Sequence, residues 1–266
     1  MSVVLRRTTE LRQNCREGGS PFLDINAARM SRTFKTGLRR FVLGSLPHAW
    51  GDKLLTAKQA LRWRMLGRHW HCQHFADRAN QPCLARALSR LRQEAGPRPL
   101  AILEFGCNAG NNLRLLRQDA TATIVKYCGV DINPRAIAFA QAHFPSDSFH
   151  VGDHQWFINH ASELGSFDLF IASHVLYYID EKHARLILAA AHKVADYIVV
   201  VDRMQRFLES GGERTGVFTH PFQSICNDTG LDVLEVEATL APGSPYGFFI
   251  ARARREHSRH GSPHSP

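Results

Sequence analysis

The stretch AILEFGCNAGNN, residues 101–112, decides how the rest of the chain is read. A short apolar run ends at Glu104 and Phe105. Gly106, Asn108 and Gly110 then mark a tight turn into a segment with helical spacing. This is the pattern of a buried strand running into a helix. Glycine admits positive φ and lets a ligand approach the backbone. A helix start offers unpaired N–H groups and a positive dipole end to an anionic group. Many nucleotide-binding folds share such a turn, so alone it is a weak signal. A dinucleotide fingerprint needs G-x-G-x-x-G, which would fall on Gly106, Asn108 and Asn111, and only the first is glycine. A phosphate-binding loop needs a terminal G-K-S/T, which this run lacks. The residues fit E-x-G-x-N-x-G.

Outward from this turn, strands and helices alternate. Residues 100–105 are a short apolar run and 198–201 a run of β-branched residues, and both read as strands, as do 124–130, 148–151 and 167–172. Residues 111–118, 134–143, 182–194 and 222–230 read as helices between or after them, with Pro134 suited to a first helical turn. Residues 231–238 and 246–253 close the series as an antiparallel pair. Alternation of this kind predicts an α/β fold: a doubly wound, mostly parallel seven-stranded sheet covered on both faces, with an antiparallel C-terminal hairpin.

Two further acidic residues fall where such a sheet binds nucleosides. Asp131, in GVDINP, ends the second strand, where a carboxylate can accept from both hydroxyls of a ribose. Ile132 beside it would lie against one face of an adenine. Asp153, in HVGDH, follows the third strand and can accept from an adenine amino group. Each acid alone is more simply a helix cap or a solvated loop residue; three at successive strand ends point to a nucleoside site.

The pieces LEFGCNAG, GVDINP, HVGDH and SFDLFIASHVLYYI resemble the class I S-adenosylmethionine-dependent methyltransferases over about residues 98–253. The hairpin LDVLEVEA with YGFFIARAR is similar to that family's reversed seventh strand and its partner. The resemblance implies S-adenosyl-L-methionine as cofactor. It implies that Glu104 and the turn Gly106, Asn108, Gly110 hold the methionine part, Asp131 the ribose, and Asp153 with His154 the adenine. The family's second loop glycine is Asn108 here, and asparagine tolerates left-handed angles better than most residues. EFGCNAGNNL also resembles methylases of bacterial surface-sugar pathways.

The resemblance also places the fourth strand end, ASHVLYYID (172–180), against the methyl group. Ser173 is taken as a cofactor contact, and His174 and Tyr177 as catalytic candidates, with Tyr178 beside them. The reference pKa of histidine lies near neutrality, so His174 can serve as a general base, or it only hydrogen-bonds the cofactor or backbone. Tyr177 and Tyr178 serve equally as pocket wall. Asp202 and Arg203 follow the fifth strand, and Arg203 can clamp an acidic acceptor.

The first third of the chain has another character. Residues 1–95 carry 18 Lys/Arg against 6 Asp/Glu, a net +12; residues 96–266 carry 15 against 18, a net −3. An anionic partner for residues 1–95 follows as an expectation: a phosphorylated substrate, anionic lipid or RNA. A merely soluble arginine-rich face is the alternative. Phe34, Leu38, Phe41 and Val42 make a helical stripe within 31–45, for the protein's own core or a membrane surface. Residues 55–76 and 82–94 read as two helices, and Gly96, Pro97 and Pro99 as a boundary. The division is thus 1–96 as a basic, mainly helical cap, 97–254 as the methyltransferase domain, and 255–266 as a disordered tail. His71 and His74 share a helix face but lack a carboxylate companion, so no metal is expected. Trp70, Phe75 and Arg78 close over the cofactor as a lid, or simply pack.

The six cysteines are scattered without a CxxC pair, which argues against a disulfide framework or zinc site. No run of eighteen apolar residues or secretory signal is present, and the expected location is cytoplasmic. The expected activity is methyl transfer to an O or N atom of a small-molecule acceptor: a sugar, a lipid-linked compound or a secondary metabolite. An RNA or protein methyltransferase, or a non-catalytic binding protein of the same fold, are the alternatives. Residues 1–95 hold no recognisable RNA-binding motif, and SHVLYY lacks the Asn/Asp-Pro-Pro-Tyr-like run of many base and amide N-methylating enzymes.

Overall fold

A computed structural model describes residues 48–67, 75, 81–119, 122–204, 217–238 and 246–254. The expected stripe at 31–45, the tail after 254, and Trp70, His71, His74 and Arg78 lie outside these residues. Two helices come first, α1 (His48–Met65) and α2 (Gln81–Ala95). The α/β series follows as β1 (Leu100–Phe105), α3 (Asn111–Gln118), β2 (Ile124–Asp131), α4 (Pro134–His143), β3 (Ser148–Val151) and α5 (His154–His160). Then come β4 (Phe167–Ser173), α6 (Glu181–Val194), β5 (Ala195–Arg203), α7 (Phe222–Thr229), β6 (Leu231–Glu237) and β7 (Tyr246–Ala253).

The seven strands form one sheet in the order β3-β2-β1-β4-β5-β7-β6. The first five are parallel, and β7 inserts antiparallel between β5 and β6. The doubly wound sheet with a reversed C-terminal hairpin is therefore as expected. Alternate residues feed opposite faces, as a pleated strand requires. Leu103, Phe105, Ile198, Val200, Phe249 and Ala251 enter one core with α6 and α7. Ile102, Tyr197, Val199, Val201, Phe248 and Ile250 enter the other with α2, α3 and α4. Leu84, Leu88 and Leu91 of α2 are buried in that second core, four and three residues apart as one helical stripe demands.

Polar residues set the helix starts. Asn133 caps α4 by accepting from the N–H groups of Arg135 (2.9 Å) and Ala136 (3.2 Å), and Pro134 follows it. Asp153 caps α5 and Asp180 caps α6 in the same manner. Helix α1 differs from the expected 55–76: it starts at His48 and stops at Met65. Gly67 lies just beyond, where its low helix propensity and free φ favour a stop. Helix α5 had no expectation, because seven residues give too few turns for a period to show.

Candidate active site

The carboxyl ends of β1, β2 and β4 open on one crevice, where chain crossovers diverge between β1 and β4. Here lies a cavity of about 520 Å³. The turn after β1 is held against β2: the N–H groups of Gly106 and Cys107 both donate to the Val130 carbonyl, at 2.7 and 3.1 Å. Gly106 has φ 79°, and a Cβ there would lie 2.7 Å from the Val175 Cβ, so only glycine fits. Asn108 has φ 48°, in the left-handed region, and its N–H donates to Asp131 Oδ2 at 2.9 Å. The Asn133 N–H donates to Asp131 Oδ1 at 2.8 Å. Loss of hydration pushes the Asp131 carboxyl up to about 6 despite both donors.

Gly106, Asn108, Asp131, Ile132, Asp153, His154, Ser173, His174 and Tyr177 all line the cavity. Glu104 and Gly110 do not. Glu104 lies behind the turn, 1% exposed, and accepts from the Tyr127 hydroxyl (2.5 Å) and the Asn112 amide (2.8 Å). Burial pushes its carboxyl up to about 7, against those two bonds. Asn112 does line the cavity, so Glu104 acts on the wall through Asn112. Gly110 precedes α3 with φ 81°, and a Cβ there would meet the Phe144 ring at 2.9 Å.

One oxygen of Asp153 is spent on the Trp156 N–H, at 2.9 Å. The His154 ring stands edge-on to His183, with centroids 4.6 Å apart. Burial, then the charge of His183, hold it below the ordinary histidine value, so it stays neutral at pH 7. His183 Nδ1 lies 2.8 Å from Asp180 Oδ2.

Trp63 and Tyr178 lie 5.0 Å apart, Tyr177 and Tyr178 4.1 Å, and His174 and Tyr246 4.8 Å between ring centroids. These five rings wall the end of the cavity beside β4. His174 has φ 54°, and its N–H donates to Val201 at the end of β5 (2.8 Å). The Tyr177 hydroxyl donates to that of Tyr178 at 3.0 Å. Burial and this bond raise the Tyr177 phenol far above its usual range, so it is a neutral donor and not a phenolate base. Asp202 is buried and off the wall. It accepts from the N–H groups of Tyr177 (3.1 Å) and Arg203 (2.6 Å), and burial pushes its carboxyl up to about 7. It thereby fixes the turn that presents Tyr177. Arg203 is not among the lining residues.

Sequence reasoning missed the roof. Thr56, Ala60 and Trp63 of α1 line the cavity, at i, i+4 and i+7. The Thr56 hydroxyl donates to Asp180 Oδ2 and accepts from the Asp180 N–H, both at 3.2 Å, tying α1 to the start of α6. That spacing was visible, but nothing distinguishes it from a stripe that packs on a core. Phe75, one of the expected lid residues, packs instead on Phe139 (5.3 Å between centroids) behind the turn. Tyr246 was read only as the start of a strand.

Residues 103–213 match the family model for a methyltransferase domain. No curated protein matches the chain. Among solved structures, one chain of the complex between the Haloferax volcanii Trm112 methyltransferase activator and a methyltransferase is 16% identical. The match covers 73% of this chain and 99% of that one, with TM-score 0.54. The magnesium protoporphyrin IX methyltransferase of Synechocystis PCC 6803, crystallised with S-adenosylhomocysteine, is 15% identical. It covers 66% of this chain and 84% of that one, with TM-score 0.50. At such identities these structures speak to the fold alone. The chain thus shares its fold with these class I, Rossmann-like methyltransferases, and its residues 103–213 match the methyltransferase-domain model.

Proposed function

We propose that the protein transfers a methyl group to an O or N atom of a small-molecule acceptor, a sugar, lipid-linked compound or secondary metabolite, in the cytoplasm. The observation that carries this reading is the aromatic-walled cavity under α1, whose about 520 Å³ lies in the range of small-ligand pockets. We assign residues 97–254 to the catalytic domain and 1–96 to a cap over it. The basic charge of residues 1–95 is the observation that favours an RNA or protein acceptor instead.

The residues fit the cofactor. The backbone at Gly106 and Asn108 borders the cavity with no Cβ at Gly106 to block approach. The Asp131 carboxylate is on the wall and can accept from ribose hydroxyls, while Ile132 offers an apolar plane to the adenine. Asp153 keeps one oxygen for the adenine edge, with neutral His154 beside it. Glu104 holds Asn112 in place, and Ser173 faces the same space. When bound, S-adenosylmethionine supplies a sulfonium methyl for in-line displacement. The chain's part is then alignment and exclusion of water. Trp63, Tyr178 and Tyr246 shape the acceptor end. His174 takes the acceptor proton where one must be removed, and the Tyr177–Tyr178 hydroxyl pair orients the acceptor.

Calorimetric titration with S-adenosylmethionine and S-adenosylhomocysteine tests the site. Saturable binding is expected, weakened at least about tenfold in Asp131→Ala, because a hydroxyl left facing no charged acceptor loses about 1.5 kcal/mol or more. Equal affinity in the variant would remove the ribose assignment. No binding by the folded wild type would leave a non-catalytic protein of this fold.

A further inference from the structure

The outer face of α1 carries a pattern that the cavity does not use. Leu54, Leu61 and Met65 are 52%, 63% and 65% exposed. They are seven and four residues apart, so they form one line along the helix. Lys58 stands within that line, and Lys53, Arg62 and Arg64 flank it, all exposed. The helix has a single acidic residue, Asp52, which is half-buried on the other side. That other side is the one that buries Leu55, Thr56 and Gln59 and roofs the cavity with Trp63. A helix that merely faces water presents a polar outer surface. Three large apolar side chains between two rows of cations are the chemistry of a helix lying in a lipid headgroup layer. A nucleic acid would answer the cations and leave the apolar line unexplained. Among the described residues no helix is long and apolar enough to cross a membrane, so contact here is at the surface.

We propose that α1 docks by this outer face onto an anionic lipid surface: Leu54, Leu61 and Met65 enter the headgroup boundary while Lys53, Lys58, Arg62 and Arg64 meet lipid phosphates. The docking rests on this face alone. Its consequence for catalysis rests on the methyltransferase reading. One side of α1 would lie on the bilayer and the other would roof the cavity, so the acceptor is an amphiphile or lipid-linked compound delivered from that surface.

The test is co-sedimentation of the full chain with vesicles of mixed phosphatidylcholine and phosphatidylglycerol, against vesicles of phosphatidylcholine alone. Binding to the anionic vesicles is expected, falling as salt rises. Leu61→Gln with Met65→Gln should lower partitioning at least about tenfold, since withdrawing two such side chains from lipid removes that much affinity. Arg62→Glu with Arg64→Glu should abolish the preference for anionic lipid. Circular dichroism and thermal melting of each variant establish that it is folded. If the wild type ignores anionic vesicles, or the Leu61/Met65 variant binds them as well as wild type, the proposal falls. The second result would move the attraction to cations elsewhere in residues 1–95. Retention on RNA without vesicle binding, lost in the Arg62/Arg64 variant, would overturn it in favour of nucleic acid. If vesicles bind as expected but S-adenosylhomocysteine does not, the docking stands and the methyltransferase reading fails.

Discussion

His174 sits at φ 54°, an angle a histidine adopts at a cost of roughly 1 kcal/mol. Its N–H bond to Val201 and its edge contact with Tyr246 hold it there, with the ring at the cavity wall. A residue kept in a strained conformation beside a cavity calls for a test that separates the ring from the backbone. His174→Gly does so, because glycine accepts the same angle freely. The expected outcome is a fall in turnover of about 10²-fold or more, as for loss of a general base, with S-adenosylhomocysteine affinity changed less than about threefold. Steady-state rates alongside calorimetry check this, and an unchanged rate would make His174 a wall residue. The two left-handed residues differ in how far the sequence betrays them. Asn108 stands where the resembled family has a glycine and is itself tolerant of positive φ, so its turn was legible. Nothing in SHVLYY signals a left-handed residue at His174, because the angle is imposed by the neighbouring β5.

Among the elements, strands β1, β4 and β5 were legible as short, largely apolar runs, and α3, α4 and α6 because their buried residues keep a helical period. Helix α1 was legible only as a helix. Its role as roof depends on Asp180, 124 positions away from Thr56, and no local pattern carries a contact of that range. The same holds for Tyr246, which reaches the cavity only because β7 pairs with β5, Arg203 opposite Tyr246. The Thr56–Asp180 pair gives the roof a direct test. Thr56→Val keeps the volume but leaves the Asp180 N–H without its hydroxyl acceptor in a buried place, while Asp180 Oδ2 keeps His183. The expected cost is about 1–3 kcal/mol of stability, read as a lower urea midpoint at unchanged slope. A variant as stable as wild type would show that α1 is held by packing alone.

Across the whole molecule, the seven-stranded sheet carries its chemistry on acids at strand ends; Glu104 and Asp202 are buried, and Asp131 is half-buried on the cavity wall. Burial raises Glu104 to about 7, Asp131 to about 6 and Asp202 to about 7. In the unfolded chain such carboxyls titrate near 4. Between these values the folded state binds protons that the unfolded state has released, so stability falls as pH rises. His154 and His220 are lowered by burial and contribute the opposite slope below their unfolded value, and the bare profile of the wild type mixes both signs. Glu104→Gln isolates one carboxyl. The amide oxygen can still accept from Asn112, its NH2 can donate to the Tyr127 hydroxyl, and the charge is gone. Relative to this variant, wild-type stability is retained fully below about pH 4 and lost as pH climbs through about 7. A shift of this size is worth on the order of 3 kcal/mol. Urea unfolding of both proteins at pH 5, 6, 7 and 8, in the absence of cofactor, measures the gap directly. It should widen in favour of Glu104→Gln as pH rises. Parallel profiles would mean that Tyr127 and Asn112 already offset the cost of burying the charge. Glu104 would then be an ordinary ionised carboxylate at neutral pH, and Asn112 would be held by a charged acceptor instead of one poised to take a proton.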